Sequence, residues 1–302
     1  MIGRVSTFGE VNYLMTLNMT TQANETAAQT QESSGVKAQT YGALGGDVSQ
    51  VLNIDNQVTQ LTADGDNATT ALSTMQESYS VMSSVTSLGT TMLSDLSSYM
   101  SASTTDSTSV ATSAQSWLTE LTSLLNTKYA GSYLFSGTST DTAPVDTSAA
   151  DYTPATDPTT ADTDYYQGSS SGTTYVGSDG YTVSTSVQAD STGFEQMLRG
   201  LSMIVADPTS STTLTAAYDL IQSGSSAVAS SQGALSTASA ALTSYQTEAA
   251  AKVTALSTVA SSLTGADLSA ATVLVTNYST QLEASYSMVT KLLSDNLAKY
   301  LT

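Results

Sequence analysis

The apolar residues of this chain fall on three-four seams in two long stretches, and a segment without that period separates them. From 48 to 100 one stripe runs Val51, Ile54, Val58 and Leu61; after Asp64-Gly65-Asp66 it resumes as Met75, Tyr79, Met82, Thr86, Gly89, Leu93, Leu96 and Met100. From 213 to 263 a second stripe runs from Leu214, Tyr218 and Ile221 through Val228, Leu235, Leu242 and Tyr245 to Leu256 and Leu263. Alternating steps of three and four keep one helix face toward a partner, the pattern of packed and supercoiled helices. A further helix predicted over 108–130 carries Val110, Ala114, Trp117, Leu121 and Leu124, and the polar break at 101–107 makes it the second arm of an antiparallel hairpin. A shorter one over 194–206, with Phe194, Met197 (or Leu198), Leu201 and Val205, stops at Asp207-Pro208, because the residue before proline is pushed out of the helical region.

Between 131 and 193 the period changes. Tyr133-Leu134-Phe135 is a short apolar run between glycines, and Pro144, Pro154 and Pro158 sit in an acidic, Thr-rich stretch. Tyr165-Tyr166, Thr174-Tyr175-Val176 and Tyr181-Thr182-Val183 read as strand pieces, the last two joined by a turn at Ser178-Asp179-Gly180.

The two ends resemble each other. Residues 1–30 place Val5, Phe8, Val11 and Leu14 (or Met15), then Asn18 and Thr21, on one stripe that fades from apolar to polar. Residues 268–302 place Ala271, Val275, Tyr278, Leu282, Ser285, Val289 and Leu292 on a seam, widened by Leu274, Tyr286, Leu293, Leu297 and Tyr300. Each helix is set off by a glycine-containing joint: 33–46, with Asp47 as N-cap of the long helix beyond it, and Gly265-Ala266-Asp267. Helices so polar are marginal alone and order against a partner. The expected fold class is therefore mainly α with a β-rich insert: an elongated antiparallel bundle or coiled coil of the N- and C-terminal segments, with a small β domain in the middle. Three parts are expected: terminal assembly segments 1–46 plus 264–302, disordered in the monomer; a helical bundle of 47–130 plus 194–263; and an outer insert, 131–193. The expected assembly interface is Val5, Phe8, Val11, Leu14, Leu274, Tyr278, Leu282, Tyr286, Val289, Leu293, Leu297 and Tyr300.

Equipment for chemistry is sparse. There is no cysteine and no histidine, which removes thiol nucleophiles, disulfides and Cys/His zinc sites. Net charge is −19 and the seven basic residues are scattered, so nothing gathers phosphates and no nucleic-acid partner is expected. Only 11% of residues are charged, and Ser and Thr solvate the surface; their hydroxyls are also open to glycosylation. Ser34-Gly35-Val36-Lys37 matches S-x-x-K without the companion motifs an acyl-enzyme needs. Asp64-Gly65-Asp66-Asn67 and Asp162-Thr163-Asp164 lack the ligand number and bidentate Glu of a calcium loop, and read as turns or caps. No catalytic, cofactor or metal residue is assigned. The N-terminus lacks the apolar core of about 7–15 residues of a secretory signal, and no apolar run reaches the roughly 18 residues of a membrane span.

Several segments carry a resemblance. Arg4-Val5-Ser6-Thr7 resembles an R-[IV]-S-T start; Gly131-Ser132-Tyr133-Leu134-Phe135-Ser136-Gly137 with Thr142-Ala143-Pro144 resembles G-x-Y-[IL]-F-[AS]-G…T-x-P; Leu282-Glu283-Ala284-Ser285-Tyr286 and Tyr300-Leu301 resemble an L-[EQ]-A-S-Y…Y-L ending. These are patterns of the bacterial flagellin superfamily, and within it the chain resembles the hook-associated proteins of the hook–filament junction. Ser34-Gly35-Val36-Lys37 leading into Tyr41-Gly42-Ala43-Leu44-Gly45 departs from the usual S-G-[KR]-R-[IV]…D-[DN]-P-A. The resemblance implies an extracellular structural protein of the flagellum, exported through the flagellar type III route without a cleaved signal peptide. It implies hook-associated protein 1 and flagellin as neighbours, copies of itself in a ring, and a cytoplasmic export chaperone on the C-terminal helix. A filament flagellin, whose apolar-Arg tail is missing here, and a non-flagellar surface adhesin are the alternatives.

Overall fold

In a computed structural model the protein is described over residues 2–102, 106–148, 153 and 156–298, with side chains from Gly9 to Ser294 within them. The described helices are α1 (Ile2–Ser34), α2 (Val48–Ser101), α3 (Ser107–Leu125), α4 (Thr192–Ala206), α5 (Ser211–Thr264) and α6 (Leu268–Ala298). Four short strands, β1 (Lys128–Tyr129), β2 (Ser132–Tyr133), β3 (Thr174–Val176) and β4 (Thr182–Ser184), form two antiparallel hairpins. The fold is mainly α with a small β insert, as the periodicity predicts. The chain divides into two compact units, Gln60–Lys252 and Met1–Thr59 with Val253–Thr302.

The core of the Gln60–Lys252 unit is built by α2, α3, α4 and α5. Met75, Met82, Met92 and Leu96 meet Leu121 and Leu125 of α3, Phe194, Met197 and Leu201 of α4, and Ile221, Val228 and Leu242 of α5 in one apolar cluster. The α5 seam lies where its spacing puts it. On α2 the expected seam holds at Met75, Met82, Gly89 and Leu96, whereas Tyr79 and Met100 are exposed and Ser78, Val85 and Met92 take the intervening buried positions. Both sets fit a three-four spacing, and packing against α4 and α5 decides between them. Gly224 explains how closely α4 approaches α5. A Cβ there would lie 2.7 Å from the Gly193 carbonyl oxygen and 2.8 Å from Met197 Cγ. Gly224→Val is expected to cost about 1–3 kcal/mol by overpacking, read as a lower urea midpoint with an unchanged m-value.

Asp64-Gly65-Asp66 reads in sequence as a turn or cap, and it is neither: α2 runs through it without a break. A helical glycine costs only about 1 kcal/mol relative to Ala. That cost is offset here because Asp64 is buried and hydrogen-bonded across the unit, accepting from Ser178 and Tyr245. Asp162-Thr163-Asp164 does form a turn, with the Asp164 amide donating to Asp162 Oδ1 at 3.0 Å. The third helix ends at Leu125 rather than 130, because Ala130 and Gly131 both take positive φ and turn the chain into the β1–β2 hairpin. Asp106 caps its other end, accepting from the Thr108 amide at 3.0 Å.

The insert holds itself together with few strands. The Asn126 side chain stands in for one, donating to Val145 O (2.8 Å) and accepting from Val145 N (3.0 Å). Buried Tyr165 donates to Ala189 O at 2.9 Å, and Phe135 packs edge-on to Phe194 at 5.5 Å. Glu195 and Arg199 form a buried ion pair on α4, Arg199 Nε lying 2.8 Å from Glu195 Oε1. Arg199 also donates to Pro158 O (2.7 Å) and Thr160 O (2.9 Å), and Glu195 Oε1 accepts from the Asp162 amide (2.9 Å). One pair thus fastens the acidic loop to the bundle.

Candidate assembly interface

The other unit contains both ends of the chain. α1 and α6 pack along each other as an antiparallel pair: Thr272 donates to Glu32 near one end, and Leu14 and Asn18 share a groove with Ser285 and Met288 farther along. A small clasp joins them. Gly35 ends α1 with φ +70°, Val36 bridges Gly265, the Lys37 amide donates to Thr264 O (2.7 Å), and the Ala266 amide donates to Gly35 O (2.9 Å). Lys37 Nζ caps the end of α5 by donating to Leu263 O at 2.7 Å, a cation at a helix C-terminus, where the dipole favours it. Asp267 starts α6, its carboxylate accepting from the Ala270 amide at 3.0 Å.

Between the two helices the contact is thin. Asn18, Ala28, Ala271 and Leu282 are buried, and Val11, Leu14, Val275, Tyr278, Ser285, Val289 and Leu292 are half-buried. The fully buried positions are few, and three of the four (Asn18, Ala28 and Ala271) are small or polar; Ser285 Oγ is buried without a hydrogen-bond partner. Of the residues expected to form the assembly interface, Val11, Leu14, Tyr278, Leu282 and Val289 lie in this seam, whereas Leu274, Tyr286 and Leu293 are exposed beside it. The side chains of Val5, Phe8 and Leu297, and the whole of Tyr300, lie outside the described residues.

A second apolar set flanks the seam; Leu274, Tyr286 and Leu293 belong to the expected interface, whereas Tyr13, Leu17, Met19 and Met288 do not. On α1, Tyr13 (71% exposed) and Leu17 flank one side of the seam, and Met15 and Met19 (67% exposed) flank the other. On α6, Tyr286 and Leu293 lie on one side, and Leu274 and Met288 (58% exposed) on the other. The signal was present as apolar residues four or seven apart, one step off the seam. The helix pair therefore carries bare apolar side chains on both flanks. Among the described residues no group of three acidic side chains is placed to hold a metal ion, and no helix is long and apolar enough to cross a membrane.

Residues 5–140 match the family described as the bacterial flagellin N-terminal helical region. That segment is flagellin-type. The match takes in most of α1, the joint, α2, α3 and the β1–β2 hairpin, and it covers Val5-Ser6-Thr7 and Gly131–Gly137, two of the segments that carry the resemblance. Among solved structures the chain is similar to a protein of Vibrio parahaemolyticus described as a flagellar hook-associated protein: 18% identity, TM-score 0.60, covering 71% of this chain and 96% of the other. This is a likeness of fold. Bacillus cereus FlgL aligns at 15% identity and TM-score 0.46, over 69% of this chain and 98% of that one. No curated protein matches the sequence.

Proposed function

We propose that the protein is a structural subunit of the bacterial flagellum, and specifically the junction protein between hook and filament, hook-associated protein 3. One observation carries the reading: a helix pair made from both ends of the chain leaves apolar side chains bare on both flanks. A lone soluble protein rarely exposes so many large apolar groups in one region. Two flanks need two neighbours, and a contact between unlike faces propagates into a ring or tube rather than closing as a dimer. Flagellin-type residues 5–140 and the fold shared with the Vibrio protein support the flagellar setting.

On this reading the terminal segments, 1–46 and 264–302, are disordered in the free subunit. They become fixed when Tyr13, Leu17, Met15, Met19, Tyr286, Leu293 and Met288 are covered by copies of the chain. Residues 47–130 plus 194–263 act as the bundle behind them, and 131–193 as an outer insert. Hook-associated protein 1 lies on one side of the ring and flagellin on the other. Before export through the type III apparatus, a chaperone covers the α6 stripe. The role is one of interface geometry, with no catalysis and no cofactor.

Deleting the gene in its source cell tests the reading. The expected result is loss of swimming, intact hooks, and flagellin shed unpolymerised into the medium. Normal filaments on the deletion strain would overturn it. The flagellin-type match at 5–140 also suits a filament subunit; in that case the deletion would remove the filament protein itself rather than release it.

A further inference from the structure

Asp64 is a carboxylate in the middle of a 54-residue helix. It is buried, and among the described residues no cation pairs with it. Its partners are neutral donors brought from far along the chain. Oδ2 accepts from the Ser178 amide (3.0 Å), from the Ser178 hydroxyl, and from the Tyr245 hydroxyl (3.1 Å). The backbone carbonyl of the same residue accepts from the Tyr175 hydroxyl at 2.9 Å. Ser178 sits at the tip of the β3–β4 hairpin, and Tyr245 on α5.

The hydrogen bonds that tie this hairpin to the helices converge on Asp64 and Tyr245. Tyr245 also reaches Asp179 Oδ1 of the hairpin turn at 3.3 Å. Tyr181 stacks on the Tyr245 ring at 4.5 Å, and Tyr175 meets it edge-on at 5.7 Å. The hairpin lies so close that a Cβ on Gly177 would fall 2.3 Å from the Tyr245 hydroxyl oxygen. Its own ladder is three residues long on each side, too short to be stable without support.

We propose that the β3–β4 hairpin is a flap fastened to α2 and α5 by the ionised Asp64 carboxylate, and that neutralising this carboxylate releases the flap while the helices stay folded. An ionised carboxylate only accepts, and bonds to a charged acceptor are the strong ones. Once neutral, it holds the fixed Ser178 amide far less well. The proposal does not depend on the flagellar reading.

The groups facing Asp64 are Tyr175, Asp179 and Tyr181 from the hairpin and Tyr245 from α5. The Tyr175 and Tyr245 hydroxyls, whose ordinary value of 10.0 burial pushes further up, are neutral throughout the acid range. Burial also pushes the Asp64 carboxyl up, but the Ser178 and Tyr245 donors outweigh it and leave the group below its ordinary value of 3.8. A depressed carboxyl stabilises the folded flap above its unfolded value and loses that contribution as pH falls through its folded value. Release therefore belongs below pH 3.8.

Amide hydrogen exchange on the full chain, corrected for the intrinsic rate at each pH, tests this. Peptides covering 174–184 are expected to gain roughly tenfold or more in exchange on acidification, with α2 and α5 still protected. Asp64→Asn should show the released flap at neutral pH, Ser178→Ala a smaller effect in the same direction, and Asp179→Asn should keep the acid release. Far-UV circular dichroism checks that each variant is folded. Hairpin protection that tracks the helices throughout the acid titration of the parent would overturn the proposal. So would a Ser178→Ala hairpin as protected at neutral pH as the parent.

Discussion

Truncation after Leu263 is expected to leave a soluble, helical monomer that joins no polymer. The cut removes α6 and with it the seam formed by Ala271, Tyr278, Leu282 and Val289. α1 then has no partner. Its buried positions, Asn18 and Ala28, are small and polar, so burial of α1 gives little stabilisation by itself, and most helical stability in proteins comes from packing. The helix supplied by the Gln60–Lys252 unit should persist, and α1 has nothing left to order against. The Gln60–Lys252 unit keeps its own core and should unfold with its usual urea midpoint. Sedimentation and circular dichroism read both effects, and swimming reads the consequence. A motile strain carrying only the truncated chain would contradict the account.

Arg199→Ala should destabilise the Gln60–Lys252 unit by about 3–5 kcal/mol, the range for breaking a buried ion pair from one side. The Glu195 and Arg199 side chains are 4% and 6% exposed. Removing the guanidinium leaves the Glu195 carboxylate buried with the Asp162 amide as its remaining partner, and strips Pro158 O and Thr160 O of their donor. A drop in urea midpoint measures the loss, and faster exchange at 157–164 locates it. The double variant Glu195→Leu with Arg199→Met should recover part of the stability, because no lone charge remains buried. An Arg199→Ala protein as stable as the parent would mean that water reaches the pair.

How far the sequence could be read differs from element to element. The α5 seam was legible because Leu214, Ile221, Val228, Leu235 and Leu242 repeat every seven residues over a long span, and a single face satisfies them all. The α2 seam was only half legible. Ser78 and Tyr79 both fit the spacing, and hydrophobicity favours the tyrosine, but Ser78 is the buried one. Asp64-Gly65 reads locally as a break, and what keeps it helical is Ser178 and Tyr245, residues more than a hundred positions away. Glu195 and Arg199 look in sequence like any exposed pair one turn apart; only the acidic loop folding over them makes them interior. The bare flanks of α1 and α6 were legible in part: Leu274, Tyr286 and Leu293 follow from the widened α6 stripe, and Tyr13, Leu17, Met19 and Met288 do not. Tyr13, Met19 and Met288 lie off the seam that pairs these helices, so the periodicity that marks the seam does not pick them out.

Immunogold labelling of intact flagella on the source cell tests the central claim most directly. The account predicts one band of label at the boundary between hook and filament. Label absent from flagella, or present elsewhere on the cell surface alone, would contradict it.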